Sequence, residues 1–363
     1  MPKRKICCFC ERWADGGIES FLCSTLSRMD LRNLEVDIVA ARLERSELSA
    51  KLEALGVTFR ELSGQLQNIP ENHRLFRRLL RQRQYDVVHL HIYQGLSLYY
   101  CRIARQEGVT VRIAHSHNEN LRKSRGRWLK LLLHRLGRHC FTGDATALWA
   151  CSKGAAAFLF GEDRTFTFIP NGIDTGRFRF HAGMRQKLRG ELGLDGFVLG
   201  HVGRLCSRKN QRFLLDILPH CPGMRLLLVG DGEDREALTL HARELGAENR
   251  VMFYGKTRQV ERLLWAMDAF ALPSLFEGLS VAAVEAQCAG LPVLCAEGLS
   301  PEVKLTESLR FLPPEPAVWA AQLMAASEAK DREAAADVIR AAGFEAGEVA
   351  RQIEAAYWEQ SPA

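Results

Sequence analysis

The chain alternates short apolar runs with longer stretches in which apolar residues recur every three or four positions. Short apolar runs are typical of buried parallel strands, and the longer pattern predicts helices that cover a sheet. In the first half of the chain, the predicted strands are residues 6–9, 36–40, 57–62, 86–91, 111–115, 147–151 and 167–169. Because helical stretches lie between most of them, the sequence predicts an α/β domain with a parallel sheet.

The alternation stops at a turn-rich segment, residues 170–176, and then starts again. The later predicted strands are residues 198–202, 225–229, 251–254, 269–272 and 292–295. We therefore predict two doubly wound domains, residues 1–176 and 177–340. Residues 341–363 should contain a C-terminal helix that packs back toward the first domain. Ligands of such sheets bind beyond the carboxyl ends of the strands, which favours a cleft between two facing domains.

Length and composition agree with a two-domain cytoplasmic protein. The chain has 363 residues, of which 47% are apolar, and this length exceeds what one core usually serves. No apolar window approaches the ~20 residues of a membrane-spanning helix, and the N-terminal apolar stretch is too short for a signal peptide. The eleven cysteines show neither zinc spacing nor a disulfide framework. We expect Cys7, Cys8 and Cys10 to be buried thiols.

Positive charge is concentrated in the first half. Residues 1–180 contain 29 Lys and Arg against 18 Asp and Glu, whereas residues 181–363 contain 20 against 25. A stretch that begins at Leu121 and ends at Arg138 has seven basic residues, no acid, and interleaved leucines and Trp128. Such a basic amphipathic helix is typical of a membrane-surface element, so we predict contact with an anionic membrane.

A second basic run, residues 74–83, has the same pattern. The alternative for both stretches is a helix that exposes its basic face to solvent and packs its leucines on the core. No nucleic-acid recognition motif accompanies the charge, so we expect no nucleic-acid partner.

Polar residues follow the predicted strands of the second half. Gly203 allows a close backbone turn, and Arg204 and Lys209 can converge on one anion. The later turn at residues 230–232 resembles part of a dinucleotide fingerprint but lacks its third glycine, so a structural turn is the better interpretation.

Residues 273–287 place two glutamates eight positions apart. Residues 273–280 predict a turn and residues 281–289 a helix, so Glu277 should lie in the loop and Glu285 on the second helical turn. Unpaired backbone N–H groups at a helix start favour phosphate. This spacing suits a site that holds a sugar nucleotide at both ends.

Taken in order, these motifs resemble the retaining glycosyltransferases of family 4. That family has the GT-B fold, an α/β architecture of two facing Rossmann-like domains with the active site in the interdomain cleft. Residues 15–19, which read Asp-Gly-Gly-Ile-Glu, resemble the glycine-rich acceptor-side loop of the family. Residues 115–118 and Gln287 bring the chain closest to members that assemble bacterial exopolysaccharide and capsule.

The resemblance implies roles for particular residues. The implied donor-binding residues are Gly17, Arg204, Lys209, Gly278, Leu279, Ser280 and Glu285. The implied catalytic residues are His115, Arg204, Lys209 and Glu277, and the acceptor-side residues are Gly16, Gly17 and His117.

Physical chemistry supports these roles. Basic side chains would stabilise the departing diphosphate, and the Glu285 carboxylate would accept hydrogen bonds from both ribose hydroxyls. Glu277 would contact sugar hydroxyls, and we do not expect it to act as a nucleophile. His115 and His117 compete for the sugar contact, and either could instead be a hydrogen-bonded core residue.

We therefore expect transfer of a sugar from a nucleotide diphosphate, with UDP as the expected nucleotide, to a lipid-linked or polysaccharide acceptor. The expected enzyme is cytoplasmic and peripheral to the membrane, and it has no cofactor. No acidic DxD cluster follows a strand, so no metal requirement is expected. The alternatives are a sugar-nucleotide epimerase or hydrolase, an NAD-dependent oxidoreductase and a non-catalytic sugar-nucleotide binder. Gln211 stands where relatives often have histidine, which leaves the transferred sugar open.

Overall fold

The computed structural model describes residues 3–14, 16–119, 127–325 and 332–358. The chain forms two compact units. The first contains residues 1–172 together with 346–363, and the second contains residues 173–345. The chain thus passes from the first unit to the second after Gly172, whereas the turn-rich segment had suggested a boundary after Gly176.

Every strand predicted in the first half of the chain is present. The strands are β1 (Arg4–Trp13), β2 (Leu34–Leu43), β3 (Thr58–Glu61), β4 (Val87–Ile92), β5 (Val111–Ser116), β6 (Ala147–Ala150) and β7 (Thr167–Phe168). They pair in parallel in the order β3-β2-β1-β4-β5-β6-β7. The order reverses between β1 and β4, which is where a doubly wound sheet binds its ligands.

Helices cover both faces of this sheet. In the described part of the first unit they are α1 (Gly17–Leu26), α2 (Glu47–Ala54), α3 (Ile69–Arg83), α4 (Tyr99–Gln106), α5 (Arg127–Phe141) and α6 (Lys153–Phe160). The last helix of the chain, residues 346–358, also belongs to this unit. A strand with helices on both faces buries successive side chains in opposite directions. Accordingly, Cys8 and Cys10 of β1 enter one apolar core and Cys7 enters the other.

The second unit repeats the architecture with six parallel strands. They are β8 (Val198–Val202), β9 (Arg225–Val229), β10 (Val251–Gly255), β11 (Ala269–Leu272), β12 (Val293–Ala296) and β13 (Leu309–Leu312). Their order is β10-β9-β8-β11-β12-β13. The sequence predicted the first five and missed β13, a short strand at the sheet edge whose Arg310 is exposed.

The remaining helices pack on this second sheet. They are α7 (Thr175–Phe178), α8 (Ala182–Leu192), α9 (Gln211–Ile217), α10 (Arg235–Glu244), α11 (Val260–Ala266), α12 (Val281–Cys288), α13 (Pro316–Ala325) and α14 (Ala335–Ile339). The helix of residues 346–358 is α15 (Ala346–Trp358). Ile173 and Phe344, which lie near the two ends of this unit, are joined by a backbone hydrogen bond of 2.8 Å.

Candidate active site

The loops that follow β8 and β11 carry a shielded ion pair. These strands are neighbours in the sheet, so the two loops emerge side by side. Lys209 Nζ lies 2.6 Å from Glu277 Oε1, and the two side chains are only 12% and 10% exposed. Arg208 Nη1 lies 3.6 Å from the other oxygen of Glu277. The structure thus brings together Lys209 and Glu277, which the sequence placed in one site.

Backbone and side-chain contacts fix the two loops to each other. The Leu275 amide donates to the Arg208 carbonyl at 2.9 Å, and the Asn210 side chain donates to the Pro273 carbonyl at 3.3 Å. Asn210 has the left-handed backbone conformation, with φ of 55°, which asparagine tolerates better than most residues. The Arg208 guanidinium lies 5.6 Å from the centre of the Phe276 ring. The loops therefore present Lys209 and Glu277 as one preassembled group.

Arg204 does not join this group. Its Nε donates to Glu233 Oε2 at 2.9 Å, and the two side chains are 70% and 56% exposed. Exposed pairs of this kind contribute little to stability because water competes for both charges. Arg204 and Lys209 thus have different partners in the structure, and their convergence on one anion stays a prediction. The exposed Arg204 side chain can change its partner at small cost.

Two residues that the sequence did not assign to the site hold the β8 loop. His201, on β8, is buried, and its Nδ1 lies 2.8 Å from the Ala271 carbonyl. Its Nε2 lies 3.2 Å from Gln211 Nε2, which also donates to the Arg204 carbonyl at 2.8 Å. Burial lowers the pKa of His201 to about 4, so the ring is neutral and accepts the Gln211 hydrogen bond. A histidine one residue before a strand end was the signal that could have identified this anchor.

Glu285 is half-buried on the second turn of α12. In the part of the chain that the structure describes, no group donates a hydrogen bond to its carboxylate. Burial raises the pKa of Glu285 to about 8, while the positive charge of Arg177 acts in the opposite direction. Arg177 itself pairs with Glu261 at 2.6 Å. Glu285 therefore keeps its acceptor positions available for an incoming hydroxyl donor.

Gly278, Leu279 and Ser280 lead into α12. The Leu279 side chain is buried in the apolar core of the unit, so its backbone is the part that could meet a ligand. Ser280 directly precedes the helix, and its side chain makes no hydrogen bond to the first turn. Free N–H groups at a helix start attract anions. Gln287 instead anchors a distant loop, because its Oε1 accepts from the Leu305 and Thr306 amides at 3.0 Å each.

The glycine turn after β9 is a packing feature. A Cβ atom on Gly230 would lie 2.0 Å from the Gly203 carbonyl oxygen, and one on Gly232 would lie 2.1 Å from the Leu205 oxygen. Gly230 also has φ of 129°, a conformation that other residues rarely adopt. The turn is thus pressed against the β8 loop, and its glycines serve this backbone contact.

In the first unit, four histidines lie on one face of the sheet at the carboxyl ends of β4 and β5. His89 Nε2 lies 3.2 Å from His115 Nδ1, and His91 Nδ1 lies 2.9 Å from His117 Nε2. His89 Nδ1 lies 2.8 Å from the hydroxyl of Tyr357 on α15. The structure therefore places both histidines of the predicted site, His115 and His117, in a larger hydrogen-bonded array.

These histidines are neutral at pH 7. Burial lowers the pKa of His89, His91 and His115 well below the usual range, and it lowers the pKa of the half-buried His117 to about 3. The Nε2 atoms of His91 and His115 are buried without a hydrogen-bond partner. A buried nitrogen without a partner costs free energy, so a ligand atom that contacted either nitrogen would be stabilising.

The glycine-rich loop after β1 has one crowded and one open glycine. A Cβ atom on Gly16 would lie 2.7 Å from Glu19 Oε2, because the Glu19 carboxylate folds back to accept from the Ala14 amide at 2.9 Å. Around Gly17, no atom lies within 4 Å of a Cβ position. Gly17 is thus the glycine that leaves room for a ligand. Asp15 lies outside the described residues.

The two basic stretches behave differently. On α3, Phe76 and Leu80 are buried, and Arg77 and Arg81 both pair with Glu107. This helix matches the alternative of packed apolar residues and a paired basic face. On α5 four large apolar residues are exposed, namely Trp128 (72%), Leu129 (45%), Leu132 (56%) and Leu136 (54%). Residues 121–126, the first part of the predicted amphipathic stretch, lie outside the described residues.

Small residues explain why α5 exposes its apolar side. A Cβ on Gly137 would lie 2.5 Å from the Gly95 carbonyl oxygen, so the helix packs through Gly137. His134 accepts from the Gly95 amide at 2.9 Å and lies 2.8 Å from the Phe158 carbonyl. The helix is therefore attached through its polar and small side. Within the described residues, no helix combines the length and apolar character needed to cross a bilayer.

Comparison with known proteins decides the family. The family model described as Glycosyltransferase Family 4 matches residues 15–177, and the one described as Glycosyl transferases group 1 matches residues 196–328. EpsF of Bacillus subtilis (strain 168), named as a glycosyltransferase, is 30% identical over 91% of this chain and 90% of its own length. The chain belongs to glycosyltransferase family 4.

Further comparisons extend this assignment. An Escherichia coli UDP-Gal:alpha-D-GlcNAc-diphosphoundecaprenol alpha-1,3-galactosyltransferase is 28% identical over 60% of this glycosyltransferase and 59% of its own length. HepE of Anabaena, solved in complex with UDP, has a TM-score of 0.80, 22% identity, and coverage of 97% and 98% of the two chains. Sucrose-phosphate synthase of Thermosynechococcus elongatus has a TM-score of 0.77, 18% identity, and coverage of 98% of both chains. The two units of this glycosyltransferase have the GT-B fold that the sequence predicted.

Proposed function

We propose that the enzyme transfers a sugar from a UDP-sugar, with retention of the anomeric configuration, to a lipid-linked acceptor in cell-surface polysaccharide synthesis. The observation that carries the donor half of this proposal is the preassembled Lys209–Glu277 pair beside the start of α12, with Glu285 one helical turn further on. A nucleoside diphosphate sugar offers phosphate, ribose and sugar hydroxyls, which are the groups that these residues suit.

The diphosphate binds to Lys209 and to the first amides of α12. Lys209 has three N–H donors, and its contact with Glu277 can occupy one of them. Arg204 leaves Glu233 and adds a second positive charge. Charge develops on the diphosphate as the glycosidic bond breaks, so fixed cations stabilise the transition state more than the bound substrate.

The ribose binds to Glu285, whose carboxylate accepts both hydroxyl groups. Glu277 orients hydroxyl groups of the transferred sugar together with His115, while Gly16, Gly17 and His117 lie on the acceptor side. Because Lys209 and Arg208 already hold the Glu277 carboxylate, it is a poor nucleophile. We infer a front-face reaction in which the departing phosphate takes the proton of the acceptor hydroxyl.

UDP is the nucleotide we propose because HepE, which shares the fold, was solved with UDP and with UDP-glucose. The lipid-linked acceptor is supported by the E. coli relative, whose name specifies a diphosphoundecaprenol substrate, and by the exposed apolar side of α5. We propose that α5 lies on the anionic cytoplasmic surface of the membrane. There it would hold the enzyme beside a lipid-linked acceptor as a peripheral protein.

The other functions fit these observations less well. An NAD-dependent oxidoreductase would need a complete G-x-G-x-x-G turn, and neither the loop at Gly16 and Gly17 nor the turn at Gly230 and Gly232 supplies one. Epimerases and hydrolases could share the donor residues, so the products must separate them from a transferase. A metal ion takes no part in the proposed reaction.

Thermal shift with UDP, GDP, ADP, dTDP, CMP and NAD tests the donor site. A ligand present at 100 times its Kd stabilises the folded state by about 2.7 kcal/mol. We expect selective stabilisation by UDP that is lost in Glu285→Gln and Lys209→Ala. Glu236→Gln is the matched control, since Glu236 is an exposed glutamate on α10 that has no assigned role in the site. Stabilisation by NAD alone, or UDP binding that both variants retain, would reject the assignment.

Incubation with UDP-sugars and diphosphate-linked lipid acceptors tests the reaction. Nuclear magnetic resonance of the product should show a new glycosidic bond with the anomeric configuration of the donor. An isomerised donor or free sugar as the main product would identify an epimerase or a hydrolase, and an inverted bond would reject the retaining mechanism.

A further inference from the structure

Two His-x-His sequences lie on neighbouring parallel strands of the first unit. His89 and His91 lie in β4, His115 lies in β5 and His117 follows the end of β5 directly, with His91 opposite His115 in the strand register. One ring nitrogen from each of His91, His115 and His117 lies within 4.8 Å of the other two. Three imidazoles at this separation are an arrangement that can coordinate a metal ion.

One pair of the three histidines already has nearly the separation of two coordinated nitrogens. Zinc binds histidine nitrogens at about 2.0–2.1 Å, which places the nitrogens of a tetrahedral site roughly 3.3 Å apart. His91 Nδ1 and His117 Nε2 are now 2.9 Å apart, so their separation must grow by only a few tenths of an ångström. Each ring keeps one N–H on its other nitrogen, so no proton need be released.

The surroundings already supply outer partners for one ligand. A metal-bound histidine usually donates its second ring N–H to a fixed acceptor, which sets the tautomer and the ring orientation. His115 Nδ1 lies 3.2 Å from His89 Nε2, and His89 Nδ1 lies 2.8 Å from the Tyr357 hydroxyl. His115 Nε2 is buried and has no hydrogen-bond partner. Because His115 Nδ1 already contacts His89, Nε2 is the nitrogen of His115 that is left to coordinate the ion.

We propose that His91, His115 and His117 bind one zinc ion at the carboxyl ends of β4 and β5. Imidazole is a ligand that zinc accepts readily, and the half-buried His117 provides the side from which the ion enters. Phe21 lies 5.3 Å from the His115 ring and 5.2 Å from the His117 ring, measured between ring centres, and forms an apolar wall.

A second group, Cys8, His89 and His91, is close enough to compete. Zinc binds the thiolate form of cysteine, and burial raises the pKa of Cys8 to about 12. Loss of that proton in an apolar core is costly, whereas an imidazole coordinates zinc through a nitrogen lone pair without losing a proton. The histidine group is therefore the stronger site.

Zinc binding does not depend on the proposed function, but its effect on catalysis does. If His115 contacts the donor sugar as proposed, an ion on its Nε2 competes with that contact. Zinc should then inhibit sugar transfer without displacing UDP from the second unit. Zinc binding and the inhibition of sugar transfer by zinc are measured separately. A failure of the zinc site can therefore be distinguished from a failure of the proposed function.

Cobalt and zinc titrations test the site. The protein should carry no histidine tag, and Cys140→Ser should be introduced throughout because Cys140 is an exposed thiol next to His139. Cobalt should produce the visible absorption bands of a nitrogen-coordinated tetrahedral ion at one equivalent per chain. One equivalent of zinc should bleach these bands, and calorimetry should give the same stoichiometry.

Variants locate the ion. His91→Gln and His117→Gln should each abolish the cobalt bands, and His89→Phe should weaken zinc binding by about 10–100-fold, because it removes the outer partner of His115 Nδ1. His220→Gln is the matched control, since His220 is exposed and lies in the second unit. Circular dichroism of each metal-free variant identifies any that fail to fold, and His117 is the safer position because it is only half-buried.

Three results would overturn the proposal. One is the absence of cobalt bands in the folded wild-type protein. Another is a cobalt spectrum that folded His117→Gln retains. The third is an intense thiolate-to-cobalt band in the near ultraviolet, which would place the ion at Cys8.

Discussion

The ammonium group of Lys209 lies 2.6 Å from a carboxylate oxygen of Glu277, and both side chains are nearly buried. Each residue follows a different strand of the second sheet, so this contact joins the two loops that we assign to the donor. Since each charge is shielded from water, each depends on the other more than an exposed pair would. The pair is thus both a structural link and a prepared binding group.

Lys209→Met should destabilise the second unit. Removing one partner of a fully buried pair costs about 3–5 kcal/mol, and because Arg208 remains 3.6 Å from Glu277, we expect a smaller loss of about 1–3 kcal/mol. The double variant Lys209→Met/Glu277→Leu should recover most of this loss, because no buried charge is left unpaired and the remaining Arg208 is exposed to water. Thermal unfolding of the wild type, both single variants and the double variant measures the coupling.

Sugar transfer separates the two roles of the pair. We expect no transfer by the double variant, even though its stability returns, since the diphosphate has lost the contact with Lys209 and the sugar has lost the contact with Glu277. Recovery of activity along with stability would show that the pair is structural only.

Glu285→Gln should change the pH dependence of stability. In the folded protein the pKa of Glu285 rises to about 8, whereas the ordinary pKa of a glutamate is near 4.3. The stability that results from this shift is fully present below about pH 4.3. That stability is lost as the pH rises through about 8. The wild type and Glu285→Gln should therefore unfold alike at about pH 4 and differ at about pH 9, where the variant should be more stable. Urea unfolding at both pH values, with Glu236→Gln as control, measures this difference.

UDP binding should release a proton near neutral pH. At pH 7 a carboxyl group with a pKa of about 8 is mostly protonated, whereas ribose hydroxyls donate to the ionised form and lower the pKa. Calorimetry in two buffers of different ionisation enthalpy should detect release of up to about one proton per UDP bound. Wild-type binding without proton release would place the ribose away from Glu285.

Trp128→Ser/Leu132→Ser should weaken membrane binding and leave the fold intact. Both side chains are more than half exposed, at 72% and 56%, so their loss removes apolar contact with lipid and little packing. Flotation with anionic and neutral vesicles measures binding. Leu240→Ser is the matched control, since Leu240 is 51% exposed on α10 of the second unit.

Charge on α5 gives a second membrane measurement. Arg135→Gln should weaken binding to anionic vesicles by about fivefold, because a basic residue near such a surface contributes about 1 kcal/mol. It should not alter binding to neutral vesicles. If the wild type binds neither anionic nor neutral vesicles, the assignment of α5 to the membrane surface is wrong.

Much of the fold could be predicted because the apolar periodicity of a strand or a helix is visible in its own residues. The strands with several apolar residues, such as β8, β9 and β11, were identified within a residue at each end. The short β13 was missed, since its Arg310 and its preceding polar turn indicate a loop. The helix at α12 was also predicted, because the proline-containing turn before it limits where it can begin.

Partners that depend on tertiary contacts could not be predicted in this way. The basic amphipathic stretches of α3 and α5 have similar patterns, and only the contact of Gly137 with Gly95 decides that α5 exposes its leucines. Likewise, nothing near Tyr357 in the sequence indicates that its hydroxyl meets His89. Arg204 pairs with Glu233 instead of joining Lys209 because the turn after β9 carries that acid to it.

The division of the chain also determines the order in which its parts can be completed during synthesis. The core of the first unit includes Val349, Ile353 and Tyr357 of α15, but residues 173–345, which precede this helix, form the second unit. At about 5–20 residues per second, a ribosome needs roughly 10–35 s to make that intervening segment. For this interval the core lacks the three α15 side chains, and the apolar surface that they cover in the finished protein is exposed to water.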